Sequence, residues 1–146
     1  MAQRAHVLVS RCLLGDPVRY DGDANPAEHS ALDRWRREGR VIPVCPEVLG
    51  GLQTPRPAAE IESGEGIDGT DVLAGRAEVR TTSGEDVTGA FVDGAHEALF
   101  EALDADVRVA VLKEGSPSCG SGRIYDGTFD GSVRDGGKGV TTALLE

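Results

Sequence analysis

The stretch HVLVS (His6–Ser10) is short, apolar and β-branched, and it reads as a buried strand. A second run of the same kind, VIPV (Val41–Val44), ends at Cys45. A third, VRVAVLK (Val107–Lys113), is followed by the glycine-rich SPSCGSG (Ser116–Gly122). Helical patterns lie between these runs. In NPAEHSALDRWRREG, Asn25 suits an N-cap, Pro26 the first helical position, Glu28 a capping box and Gly39 the stop. In DVTGAFVDGAHEALFEALD, the residues Val87, Ala90, Phe91, Gly94, Ala95, Ala98, Leu99, Ala102 and Leu103 recur at helical spacing and form one apolar face. Strands alternating with helices predict an α/β fold with a mainly parallel sheet and helices on both faces.

The remainder fits around that frame. Pro46–Arg76 is rich in Gly and Pro and reads as an extended loop with a short strand near Ala59–Glu62. AEVRT (Ala77–Thr81) reads as another short strand, IYDGTFDG as a turn or hairpin, and GVTTALLE as a last short helix. The chain has 146 residues and shows no repeat or linker, so residues 1–146 are expected to form a single domain.

The formal net charge of −10 disfavours long-range attraction to a polyanion, and no nucleic acid polymer is expected as a partner. No apolar run approaches the ~20 residues that span a bilayer, so no membrane partner is expected. The N-terminal MAQRAHVLVS passes directly into the first strand without a separate apolar region, and a cytoplasmic protein is expected. A small anionic ligand is compatible with the charge, because Arg11, Arg19, Arg56 and Arg123 fall in the loops beyond the strands. Tyr20 and Asp21, in the same loop as Arg19, are candidates for binding substrate, although YDG is equally a turn signal.

Cys12, Cys45 and Cys119 are the chain's three cysteines. An odd number without a secretion signal argues against a disulfide framework, and no C-x-x-C pair is present. In a parallel sheet all three sit beyond the carboxyl ends of strands, where α/β folds bind ligands. Three thiolates can hold zinc or an iron–sulfur cluster. Zinc in a structural site wants a fourth ligand, yet His6 is at the wrong end of its strand, and His29 and His96 fall inside predicted helices. A cubane held by three cysteines leaves one iron open as a Lewis acid for a soft atom such as sulfur. Three unconnected buried thiols are the plainer alternative.

The blocks SRCLLGDPVRYDG, VCPEVLGGLQTPRPAAEI, LKEGSPSCGSGRIYDGTF and GVTTALL, in this order from Val9 to Leu145, resemble the thiouracil desulfidase family. The resemblance implies a Rossmann-like α/β domain. It implies a [4Fe-4S] cluster on Cys12, Cys45 and Cys119, with one iron not ligated by protein. It also implies an enzyme that removes sulfur from thiolated uracil bases or nucleotides, giving uracil compounds and hydrogen sulfide without net electron transfer. Glu47, in C-P-E, and Ser116, in S-P-S-C, carry over as catalytic candidates: Glu47 to take a proton from water, Ser116 to hydrogen-bond the ring or relay a proton. Read alone, Glu47 is a loop carboxylate that caps a helix or pairs with Arg56, and Ser116 a turn residue. Arg19 and Arg56 would suit the phosphate of a thiouridine monophosphate. A non-catalytic metal-binding or sulfur-carrier protein is the alternative, and a thiol-redox protein a third reading.

Overall fold

A computed structural model describes residues 5–24 and 26–146. Strand β1 (Val7–Ser10) is the centre of a three-stranded parallel sheet, flanked by β2 (Val41–Val44) and β5 (Val109–Val111). Side chains alternate across a strand, and the packing of β1 follows that rule. Val7 and Val9 meet Leu32 and Trp35 of helix α1 (Ser30–Arg37) on one face. Leu8 meets Ala102 of α4 (Thr88–Asp104) and Leu145 of α5 (Val140–Leu145) on the other. Helices therefore cover both faces of the sheet.

The sheet is smaller than the sequence suggests. Among the described residues, four of the seven strands stand outside it: β3 (Ala59–Ile61) pairs antiparallel with β4 (Val79–Thr81), and β6 (Arg123–Tyr125) with β7 (Val133–Asp135). These ribbons enclose a separate core in which Ile61, Val79, Phe91, Ile124 and Val140 are almost wholly buried. Each such side chain contributes roughly 1.5–3 kcal/mol relative to exposure.

Several local expectations are corrected. The first helix begins at Ser30 rather than Pro26, capped by His29, whose Nδ1 accepts the Ala31 N–H at 3.1 Å. The Ala27 N–H donates to Leu13 O at 2.9 Å, which holds the preceding segment outside the helix. The expected cap, Asn25, lies outside the described residues. The stretch read as loop holds two short helices, α2 (Pro46–Leu49) and α3 (Gly69–Leu73). On α4, Leu103 leaves the expected apolar face and is 68% exposed.

One contact fixes the position of α2. A Cβ on Gly50 would lie 2.0 Å from Ala90 O, and one on Gly94 would lie 1.9 Å from Pro46 O. Two glycines thus let the backbones of α2 and α4 touch, and Cys45 and Glu47 are carried on the element so placed. Among the described residues no helix is long and apolar enough to cross a membrane.

Candidate functional site

The carboxyl ends of β1, β2 and β5 open on a cavity of about 260 Å³. Cys12, Cys45, Cys119, Glu47, Ser116, Arg19, Tyr20 and Arg56 all line it. Asp21 does not: its Oδ1 accepts the Asp23 N–H at 2.9 Å within the turn, and Oδ2 lies 4.0 Å from Arg19 Nη1.

Each cysteine is delivered by a short turn at a strand end. After β1 the chain makes one 3-10 turn (Arg11–Leu14) that buries Cys12. After β2, Cys45 occupies the N-cap position of α2, with Pro46 at the first helical position. Cys119 sits in the loop beyond β5, where α5 clamps it. The N–H groups of Val140 and Thr141 donate to Pro117 O and Ser118 O, and that of Gly139 to Gly120 O. The α5 donors that lack helical partners are therefore committed to the cysteine loop. Two buried hydroxyls complete the clamp: Thr142 Oγ1 donates to Cys119 O at 3.0 Å, and Thr141 Oγ1 bonds Ser118 Oγ at 2.8 Å.

Glu114 braces the same loop from outside. Its carboxylate accepts the backbone N–H groups of Gly115, Ser121, Gly122 and Arg123 at 3.0–3.2 Å. Burial works to raise the pKa of this group, but the four donors outweigh it and pull the value down to about 2. At the strand end, the Lys113 N–H donates to Ser10 Oγ at 2.9 Å, tying β1 to the start of the loop. Ser10, Glu114, Thr141 and Thr142 were not singled out from sequence. A polar residue closing an apolar strand, an acid ahead of a glycine-rich loop and paired threonines at a helix start were the available signals.

Ser116 and Glu47 meet across the cavity floor. Ser116 Oγ accepts the N–H groups of Ser118 and Cys119 at 3.0 and 3.1 Å, and donates to Glu47 Oε2 at 3.4 Å. Glu47 Oε1 pairs with Arg56 Nε at 3.2 Å. The Arg56 side chain is only 6% exposed, and its remaining bonds run to Gln53 O, Thr54 Oγ1 and Val18 O. Four of the five guanidinium N–H donors are thus committed within the protein. Arg56 holds Glu47 and has at most one donor for a ligand. Arg19 is freer: among the described residues its side chain stacks over the Tyr20 ring at 5.9 Å and makes the long contact to Asp21 alone.

The three thiols are free of disulfides. Burial pushes Cys119 up to about 12, with the Glu47 carboxylate adding to the rise, and raises Cys12 and Cys45 as well. Nucleophilic and redox-active cysteines are commonly held below the ordinary value, and burial acts in the opposite direction on all three here. A coordinated metal removes such protons outright. Among the described residues, no three His, Cys, Asp or Glu side chains close tightly enough around one point to hold a single ion. No histidine lines the cavity. Three soft sulfur donors with no histidine beside them are a set that thiolate-bound iron–sulfur clusters also use.

A sequence model of the 2-thiouracil desulfurase family matches residues 7–146. The chain belongs to that family. Among its relatives is the uncharacterized protein YbbK of Bacillus subtilis (strain 168), 46% identical over 143 residues, covering 96% of this chain and 89% of the relative. Among solved structures, the [4Fe-4S]-dependent thiouracil desulfidase TudS is similar with a TM-score of 0.85 at 50% identity, covering 97% of this chain and 85% of that one. The family assignment thus agrees with the one that the sequence blocks suggest, and the α/β architecture is shared across nearly the full length of the chain.

Proposed function

We propose that this chain acts as one Rossmann-like desulfidase domain that hydrolytically replaces the sulfur of a thiolated uracil base or nucleotide with oxygen. The cofactor in this reading is a [4Fe-4S] cluster held by Cys12, Cys45 and Cys119, with one iron not ligated by protein. Such a cluster supplies a Lewis acid that draws electron density from the C=S carbon. The likeness to a [4Fe-4S]-dependent desulfidase and the three thiols on one cavity support this assignment.

The chain's own residues supply the rest. Glu47 is held at Oε1 by Arg56, so its carboxylate is fixed in orientation. It takes a proton from a water molecule aimed at the ring carbon. The Ser116 hydroxyl, 3.4 Å from Oε2, passes a proton between Glu47 and the departing sulfur. In the balance, the thiocarbonyl and one water give the carbonyl and hydrogen sulfide, with no electron acceptor or donor. Arg19, at the cavity wall and with few internal partners, is the residue for a nucleotide phosphate. Arg56 is largely committed elsewhere.

The observation that carries the reading is the convergence of three cysteines and the Glu47–Ser116 pair on one small cavity. The test is anaerobic reconstitution followed by assays of sulfide and uracil release from thiolated bases and nucleotides. About four irons per chain with turnover supports the enzyme. Iron uptake without turnover on any thiolated uracil compound leaves the sulfur-carrier alternative instead.

A further inference from the structure

We propose that Tyr125 is the platform on which the pyrimidine ring of the substrate stacks, an inference that rests on the desulfidase reading above. The chain contains two tyrosines, and both line the cavity. Strand β6 alternates: Ile124 is buried in the core while Tyr125, its neighbour, is 42% exposed. An aromatic side chain of that size gains by covering its face, yet here much of it is left to solvent at the cavity.

Its placement is tied to the reacting groups. The Tyr125 ring lies against Gly115, its Cε2 3.8 Å from where a Gly115 Cβ would stand, so it is adjacent to the Ser116 loop. A backbone bridge between Gly115 and Ile124 fixes β6 beside that loop. From the far side, Glu60, itself a cavity residue, accepts the N–H groups of Gly127 and Phe129 at 2.9 and 3.3 Å. The hairpin carrying Tyr125 is thus fastened at both ends to the walls of the cavity. The backbone that carries the ring is thereby pre-ordered, so little backbone freedom is lost when a flat ligand covers the ring. A thiolated pyrimidine is flat and polarisable, and base–aromatic stacking is sequence-tolerant but shape-selective. The platform sets specificity for planar rings over open-chain thioamides.

The experiment compares wild type with Tyr125→Phe, Tyr125→Leu and Tyr125→Ala, each reconstituted anaerobically. KM and kcat are measured, and the affinity for the product uracil is measured separately by calorimetry. Stacking predicts that Tyr125→Ala raises KM, and uracil Kd in parallel, about 5- to 100-fold. It predicts kcat within about twofold of wild type, as expected when ground-state and transition-state binding are lost together. Tyr125→Phe should match wild type, and Tyr125→Leu, which keeps bulk without a π-face, should behave like Tyr125→Ala even if the alanine variant folds poorly. Unchanged KM and Kd in both Tyr125→Leu and Tyr125→Ala overturn the proposal while wild-type turnover stands. Equal losses in Tyr125→Phe and Tyr125→Ala also overturn it, by assigning the role to the hydroxyl. Absence of wild-type turnover would overturn the desulfidase reading and this inference with it.

Discussion

Ser116 Oγ lies 3.4 Å from Glu47 Oε2, and the bond between them can run in one direction only. The serine oxygen already accepts two backbone N–H groups, from Ser118 and Cys119, so its single hydrogen is left to point at the carboxylate. The same hydroxyl therefore orders the Cys119 loop and orients Glu47.

Glu47→Gln keeps the shape of that contact and removes the base. The expected result is a fall in kcat of about 10²- to 10⁴-fold with the iron content of wild type. Sulfide release and an iron assay on the same preparation check it. Full turnover would remove Glu47 from the proton-transfer role.

Arg56→Ala should lower stability, and kcat with it, because Arg56 holds the Glu47 carboxylate in place. It strips Glu47 of its partner, leaves Gln53 O and Thr54 Oγ1 without that donor, and leaves Val18 O with only the long contact from the Cys45 thiol. The expected cost is about 2–4 kcal/mol in denaturant unfolding. The ratio of nucleotide to free-base kcat/KM should stay as in wild type, whereas Arg19→Ala should lower that ratio.

Glu114 gives the fold an acid limit. Its folded pKa of about 2 lies below the ordinary 4.5, so the unfolded chain takes up the proton first as pH falls. The stabilisation is complete above about pH 4.5 and is lost progressively as pH drops toward 2. In thermal melts of the apoprotein, Glu114→Gln should lose about 1–3 kcal/mol at pH 7. It should also show a flatter decline of Tm below pH 4.5 than wild type. A parallel decline in both proteins would mean that the four N–H donors contribute little.

Gly94→Ala places a methyl group where Pro46 O already stands, 1.9 Å away. Either α2 or α4 must move, at a cost of about 1–3 kcal/mol or more. Because α2 follows directly on Cys45 and carries Glu47, the loss in Tm should be accompanied by a lower iron content after reconstitution. Gly89→Ala, on the same helix with open space around it, is the control and should lower neither.

The sequence made the parallel strands visible because Val41–Val44 and the run before Ser10 are β-branched and bounded by turn residues. Helix α4 was visible through its period, apart from Leu103. Helices α2 and α3 were not, because four or five residues carry no period to detect. The start of α1 was misplaced because a bond from Ala27 to Leu13 overrides local capping preferences. Placing three cysteines at strand ends was enough to bring them to one cavity. The Glu47–Arg56 pair was one of the readings the sequence offered, but the further bonds of Arg56 to Val18, Gln53 and Thr54, and the clamps made by Glu114, Thr141 and Thr142, were not legible. Each depends on partners that only the folded chain brings near, such as Thr142 with Cys119.

That dispersal of the sulfurs sets an order of events for biogenesis. Cys12, Cys45 and Cys119 follow three different strands, and β5 joins β1 only after most of the chain has been made. A nascent polypeptide emerging from the ribosome has no local thiol pair with which to capture iron. Assembly of the sheet must come first, because only then do the three sulfurs reach one cavity.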